Sequence, residues 1–188
     1  GRAREPEMVD HRYVEKRARA MIGGYSEQFA AFSPQVEVRD DLPAGLMVSN
    51  DRLLIATSTI MARERVDALL SHEVGVHLLT YCSGSGHGLR LFRSGLAGYE
   101  GAQEGLAVLA EYLAGGMTVA RLRLVAARVV ACAAMLGGAS FVETYRVLSH
   151  EEGFKPPIAF NIALRLYRGG GLAKDAIYLR GLLEVLAH

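Results

Sequence analysis

The sequence predicts an α+β fold that is mostly α, on two observations. Apolar residues recur at helical spacing over most of the 188 residues. One early stretch, "VEVRDDLPAGLMVSNDRLLIATST", instead carries short β-prone runs cut by Asp-Asp, Pro, Gly and Asn-Asp turn chemistry. The organisation expected is a single domain, 1–188, with an N-terminal helix over 1–33, a small β element over 36–60 and a helical core over 62–188.

Each element has its own signal. From about Glu7 to Phe32, the residues Val14, Ala18, Met21, Ile22, Tyr25 and Phe29 recur at helical spacing among Arg, Lys and Glu, with a bend expected at Gly23-Gly24. Two or three short strands follow, with Ser49-Asn50-Asp51-Arg52 as the hairpin turn. The helical period returns from Ala62 through Val66, Leu69 and Leu70. It should stop near "CSGSGHG", where three glycines and two serines in seven residues oppose a helix. After an irregular loop to about Tyr99, helices are expected at 101–114, 118–136, 140–150, 157–168 (entered through Pro156-Pro157) and 173–187.

Composition narrows the function classes. About half the residues are hydrophobic and 22% are charged, which excludes a disordered chain. The net charge of +1 gives no sign of a nucleic-acid surface. The most apolar run, "VVACAAMLGGASFV" at 129–142, is too short to span a bilayer and reads as a buried helix, so no membrane role is expected. Cys82 and Cys132 form no CxxC pair and are expected as buried thiols. No signal peptide opens the chain, which points to the cytoplasm, and "GRAREPEM" reads as the edge of a domain from a longer chain.

The chemistry concentrates in "LLSHEVGVHLLTYC", residues 69–82. A catalytic zinc site takes three protein ligands, leaves a position open for water and needs a carboxylate to accept that water's proton. Histidines four apart share one helix face, but His72 and His77 are five apart, about 140° round an ideal α-helix. A π-bulge would bring them back onto one face, and Gly75 between them gives the backbone room to relax. Otherwise they are two unrelated helix residues. A third ligand is offered by "GYEGAQEGLAVLAEYLAGG", where Glu104 shares a helix face with Ala107, Val108 and Glu111. Glu100 and Glu111 are possible substitutes. His11, His150 and His188 stand outside any cluster.

"HEVGVH" at 72–77, "SGLAGYEGAQEGLAVLAEYLAGGM" at 94–117 and "YRGGGLAKDAIYLRGL" at 167–182 together resemble the QEGLA-motif family. Its members are described as flavohaemoglobin-expression-modulating proteins and are related to the microtubule-associated tyrosine carboxypeptidases. The resemblance runs from about Gly45 to the C-terminus. It implies a gluzincin-type metallopeptidase with an HExxxH active-site helix crossing a Glu-bearing helix. His72, His77 and Glu104 would then hold Zn2+, and Glu73 would be the general base. The implied substrate is a peptide or protein C-terminus, and the family's eukaryotic branch removes a C-terminal tyrosine from α-tubulin.

Under that reading Glu73 takes a proton from the attacking water and passes it to the leaving amine. Tyr178 or His87 would donate to the oxyanion. Lys174 and Arg180, or Arg90 and Arg93, would grip the substrate carboxylate, and Asp175 could orient a ligand imidazole. The competing reading is a non-catalytic regulatory or binding protein with a structural or vestigial zinc site, against which the presence of Glu73 weighs.

Overall fold

A computed structural model describes residues 6–42, 45–168 and 174–188, Arg90 by its backbone alone. The chain is mostly helical with small sheets near its N-terminus, as the sequence predicts. Its contacts divide it into two compact units: 1–99 with 106–117, and 100–105 with 118–188.

The first unit opens with a strand that the helical periodicity does not announce. β1 (Met8–Asp10) pairs antiparallel with β5 (Ile60–Ala62), Val9 opposite Met61. Asp10 then caps α1 (His11–Gln28), its carboxylate accepting from the backbone N–H groups of Arg12 and Tyr13. The helix therefore starts later than expected and runs through Gly23-Gly24 as one element. β2 (Gln35–Arg39), β3 (Leu46–Ser49) and β4 (Arg52–Ala56) form a three-stranded sheet in the order β2-β4-β3. The hairpin falls where the turn residues place it, with Ser49 opposite Arg52 and Asn50 at a φ of 56°, a left-handed conformation asparagine tolerates. The parallel pairing of β2 with β4 lay outside the sequence reading.

α2 (Arg63–His72) runs directly into a π-helical turn (Glu73–Leu78) and on into α3 (Leu79–Gly86). The widening is visible in the bonding: the Leu79 N–H reaches the Val74 carbonyl, five residues back. Val66, Leu70, Val74, Leu78 and Cys82, spaced at strict four-residue intervals, all join the core around Val14, Ala18, Phe32, Leu53 and Ile55. On an uninterrupted α-helix such a stripe would drift by about 160° from first to last; absorbing one residue cuts that to about 60°. One bulge thus serves both the stripe and the histidines. α3 ends at Gly86, within the stretch where the sequence predicts a stop, and at Gly84 the chain passes close to the next element, α4 (Arg90–Ser94): a Cβ there would sit 2.2 Å from the Phe92 carbonyl oxygen.

α5 (Tyr99–Leu113) supplies its first turns to the second unit and the rest to the first. The second unit continues with α6 (Val119–Leu136), α7 (Phe141–Arg146) with a second π-helical turn (Val147–Glu151), α8 (Pro156–Tyr167) and α9 (Lys174–Leu186). Ala127, Ala131, Cys132, Leu148, Ala159, Ile162, Ala163 and Leu166 form its core. Ser140 and Glu143 build a reciprocal capping box at the start of α7, and Pro156-Pro157 opens α8. Cys82 and Cys132 are buried, as expected. No described helix is long and apolar enough to cross a membrane.

Candidate metal centre

His72 ends α2 and His77 lies in the π-helical turn. The turn sets their rings edge to face, with centroids 4.8 Å apart and planes inclined by 75°. The widened helix between them is what a shared ligand requires of a five-residue interval. Glu73 opens the turn, half-buried and next in sequence to His72.

Within the first unit, α5 turns one face toward His72. Glu111, fully buried, lies with Oε1 2.9 Å from His72 Nδ1. Arg65 Nη2 donates to Glu111 Oε2 at 3.0 Å, and Arg65 Nη1 donates to the Gly116 carbonyl at 2.7 Å. A carboxylate so placed fixes the ring's orientation and leaves Nε2 as the nitrogen for a ligand contact. Glu104 lies seven residues earlier on the same helix face and is likewise buried. The ligand atoms of His72, His77 and Glu104 all lie within 4.8 Å of one another, so these three side chains could hold a divalent metal.

Residues 2–188 match the family model described as microtubule-associated tyrosine carboxypeptidase. The chain belongs to that family. No curated protein matches it. Its place among the microtubule-associated tyrosine carboxypeptidases supports a peptidase activity, and with it the resemblance carried by "HEVGVH" and "AQEGLA".

The other residues of interest in this family member are placed as follows. In the second unit, Lys174 Nζ lies 3.9 Å from Glu104 Oε1. Tyr178 is buried in α9, and burial, with Glu104 nearby, raises its phenol pKa. Arg180 is exposed and pairs with Glu184 at 3.4 Å. Asp175 is buried and bonded to Arg165 Nε, so the carboxylate that orients His72 is Glu111 instead. The structure does not bring His87 to the cluster: it caps α3, exposed, its ring 5.1 Å from that of Phe92 and ten residues, about 15 Å of helix rise, beyond His77. Arg93 lies over the Tyr81 ring, 5.5 Å from its centroid, at the rim of an open pocket of about 700 Å³. The side chain of Arg90 and the run Gly169-Gly170-Gly171 lie outside the described residues.

Two contributors escaped the sequence reading. Glu111 was there only a substitute ligand, and Arg65 had no role. Both sit seven residues from a proposed ligand, Arg65 before His72 and Glu111 after Glu104, a spacing that keeps them on the ligand's face.

Proposed function

We propose that the chain is a zinc-dependent carboxypeptidase removing a C-terminal residue, tyrosine or another aromatic, from a peptide or protein. The observation that carries this reading is the convergence of His72, His77 and Glu104 beside Glu73, on a helix widened by one residue. Two imidazoles and a carboxylate are the donor set of several catalytic zinc sites and leave one position open. Zinc bound there supplies a Lewis acid that polarises the scissile carbonyl and makes water more acidic.

The chain's own groups do the rest. Glu73 takes a proton from the attacking water, whose oxygen bonds to the carbonyl carbon, and delivers it to the amine as the C–N bond breaks. Tyr178, kept protonated by its raised pKa, is the candidate donor to the carbonyl oxygen. Glu111 holds the His72 ring, with Arg65 bonded to the other oxygen of that carboxylate. The reading takes residues 1–188 as one catalytic domain, supported by α5, which belongs to both units without a break. It also takes the setting to be the cytoplasm, in keeping with the free thiol of Cys82.

The test pairs metal analysis with peptide cleavage. Glu73→Gln should keep its zinc and lose hydrolysis by about 10²–10⁴-fold. A wild-type protein that holds zinc yet cleaves nothing across a C-terminal peptide library would establish the binding-protein reading in its place. If His77→Ala leaves metal content unchanged, neither zinc reading survives.

A further inference from the structure

Tyr178 stands on α9 between two anchored neighbours, Asp175 three residues before it and Gly181 three residues after, a spacing that keeps them on adjoining parts of one helix face. Gly181 meets α5 backbone to backbone: a Cβ on it would fall 2.0 Å from the Gly101 carbonyl oxygen and 3.0 Å from the Gly105 nitrogen. The crossing of the two helices is thereby fixed beside Glu104. At the other end of the bracket, the buried Asp175 carboxylate accepts from Arg165 Nε of α8, and Arg128 Nη1 of α6 lies 4.0 Å from the same oxygen. One carboxylate thus holds two guanidinium groups in place.

Both arginines also reach the tyrosine. The Arg128 guanidinium lies over the Tyr178 ring, 5.3 Å from its centroid, which restrains the ring's tilt. Arg165 is within hydrogen-bonding reach of the phenolic oxygen. A phenol has one hydrogen to give, and its oxygen can also accept; a guanidinium only donates. An Arg165 N–H aimed at that oxygen therefore takes the accepting side and leaves the hydrogen for an acceptor elsewhere. It also polarises the O–H bond, since hydrogen bonds in a chain strengthen one another. The buried Glu104 is the carboxylate that acts most strongly on the phenol, which places the tyrosine beside that proposed ligand.

We infer that Arg165 and Arg128, held by Asp175, are positioning residues that act through Tyr178: one occupies its oxygen and the other its ring face, so that its single hydrogen is directed at the carbonyl oxygen under attack. This assignment rests on the carboxypeptidase reading and deepens it, because it says what makes the tyrosine a donor and what aims it.

The experiment is a double-mutant cycle on zinc-loaded protein, read with a phosphinic analogue of a peptide ending in tyrosine, in which tetrahedral phosphorus replaces the attacked carbonyl carbon. Analogue affinity is measured by calorimetry, affinity for the peptide itself is taken on Glu73→Gln protein, and kcat and KM are followed in parallel. Tyr178→Phe should weaken analogue binding at least about tenfold. Arg165→Met should weaken it by about tenfold and lower kcat with KM and zinc content unchanged; in the Tyr178→Phe background it should change analogue affinity by less than about twofold. Arg165→Lys should recover part of the loss, since an ammonium still donates. Arg128→Met gives the same readout should Arg165→Met fail to fold. A purely structural role would weaken peptide and analogue alike and add to Tyr178→Phe in full, and either result overturns the assignment. So does parental analogue affinity in both arginine variants, or a parent that binds the analogue no tighter than the peptide. Coupled losses of analogue affinity in a protein that cleaves nothing support the positioning role and remove the carboxypeptidase reading instead.

Discussion

The His72 ring is held by Glu111, Nδ1 to Oε1 at 2.9 Å, in a place where the carboxylate has no exposure to water. Orientation of the imidazole is therefore built into the protein. Glu111→Gln should lower zinc affinity by roughly ten- to a hundredfold, measured by competition with a chromogenic chelator, because the ring loses its charged partner but keeps its packing. Glu111→Ala should also destabilise the fold. It leaves Arg65 without its carboxylate, and since 28% of that side chain still reaches water, the cost should fall at the low end of about 3–5 kcal/mol in urea unfolding.

Gly105 and Gly181 meet backbone to backbone in the second unit. A Cβ on Gly105 would lie 2.3 Å from the Gly181 carbonyl, and one on Gly181 would lie 2.0 Å from the Gly101 carbonyl oxygen. Gly105→Ala should cost about 3 kcal/mol, read as a fall in the unfolding midpoint, because backbone cannot move aside as a side chain can. Gly101→Ala is the control. Its Cβ would meet only the ends of Arg180 and Glu184 at 3.6 and 3.8 Å, so it should be neutral or stabilise by about 0.5–1 kcal/mol.

Deleting Val76 would restore a four-residue interval between the histidines and remove the need for the π-helical turn. Because the turn already absorbs one residue, Leu78 and Cys82 would keep their place on the core stripe. The deletion should therefore leave the melting temperature by circular dichroism close to the parent's, whatever happens to metal content. A marked fall in stability would contradict this register and show that the π-helical turn itself is needed for packing.

Glu143 accepts from both the backbone N–H and the hydroxyl of Ser140, and those bonds lower its pKa below the usual carboxylate value. Its contribution is complete above the unfolded-state pKa and disappears as pH falls through the depressed folded value. Glu143→Gln should therefore flatten the acid limb of the stability curve by lowering its neutral plateau, with the acid end nearly in place. An acid limb unchanged by the substitution would contradict this linkage.

Much of the architecture was legible because periodicity and punctuation agreed. Val14 to Phe29 mark α1, Asn50-Asp51 mark the hairpin, and the interval between His72 and His77 implies a widened turn. What escaped depends on contacts distant in sequence. No local pattern announces that β2 runs parallel to β4, or that Met8–Asp10 leaves helical periodicity to pair with Ile60–Ala62. Gly84 looked like a helix breaker because its neighbours are small, yet the approach of Phe92 makes a missing side chain the requirement there. In the candidate site, the ligand residues were readable from type and spacing. Glu111, Arg65 and the Arg128–Asp175–Arg165 cluster were not, since a buried charge announces itself only through its partner.

The π-helical turn at Glu73–Leu78 also separates this site from one with histidines four residues apart in a way no point mutation bridges. A substitution changes a side chain but never the count of residues between two histidines. A gene with the shorter interval reaches the longer one only by gaining a whole codon in frame, and the π-helical turn absorbs that residue so that Leu78 and Cys82 keep to the core stripe. The two kinds of site are thus divided by an insertion, which the widened turn lets an unchanged core accept.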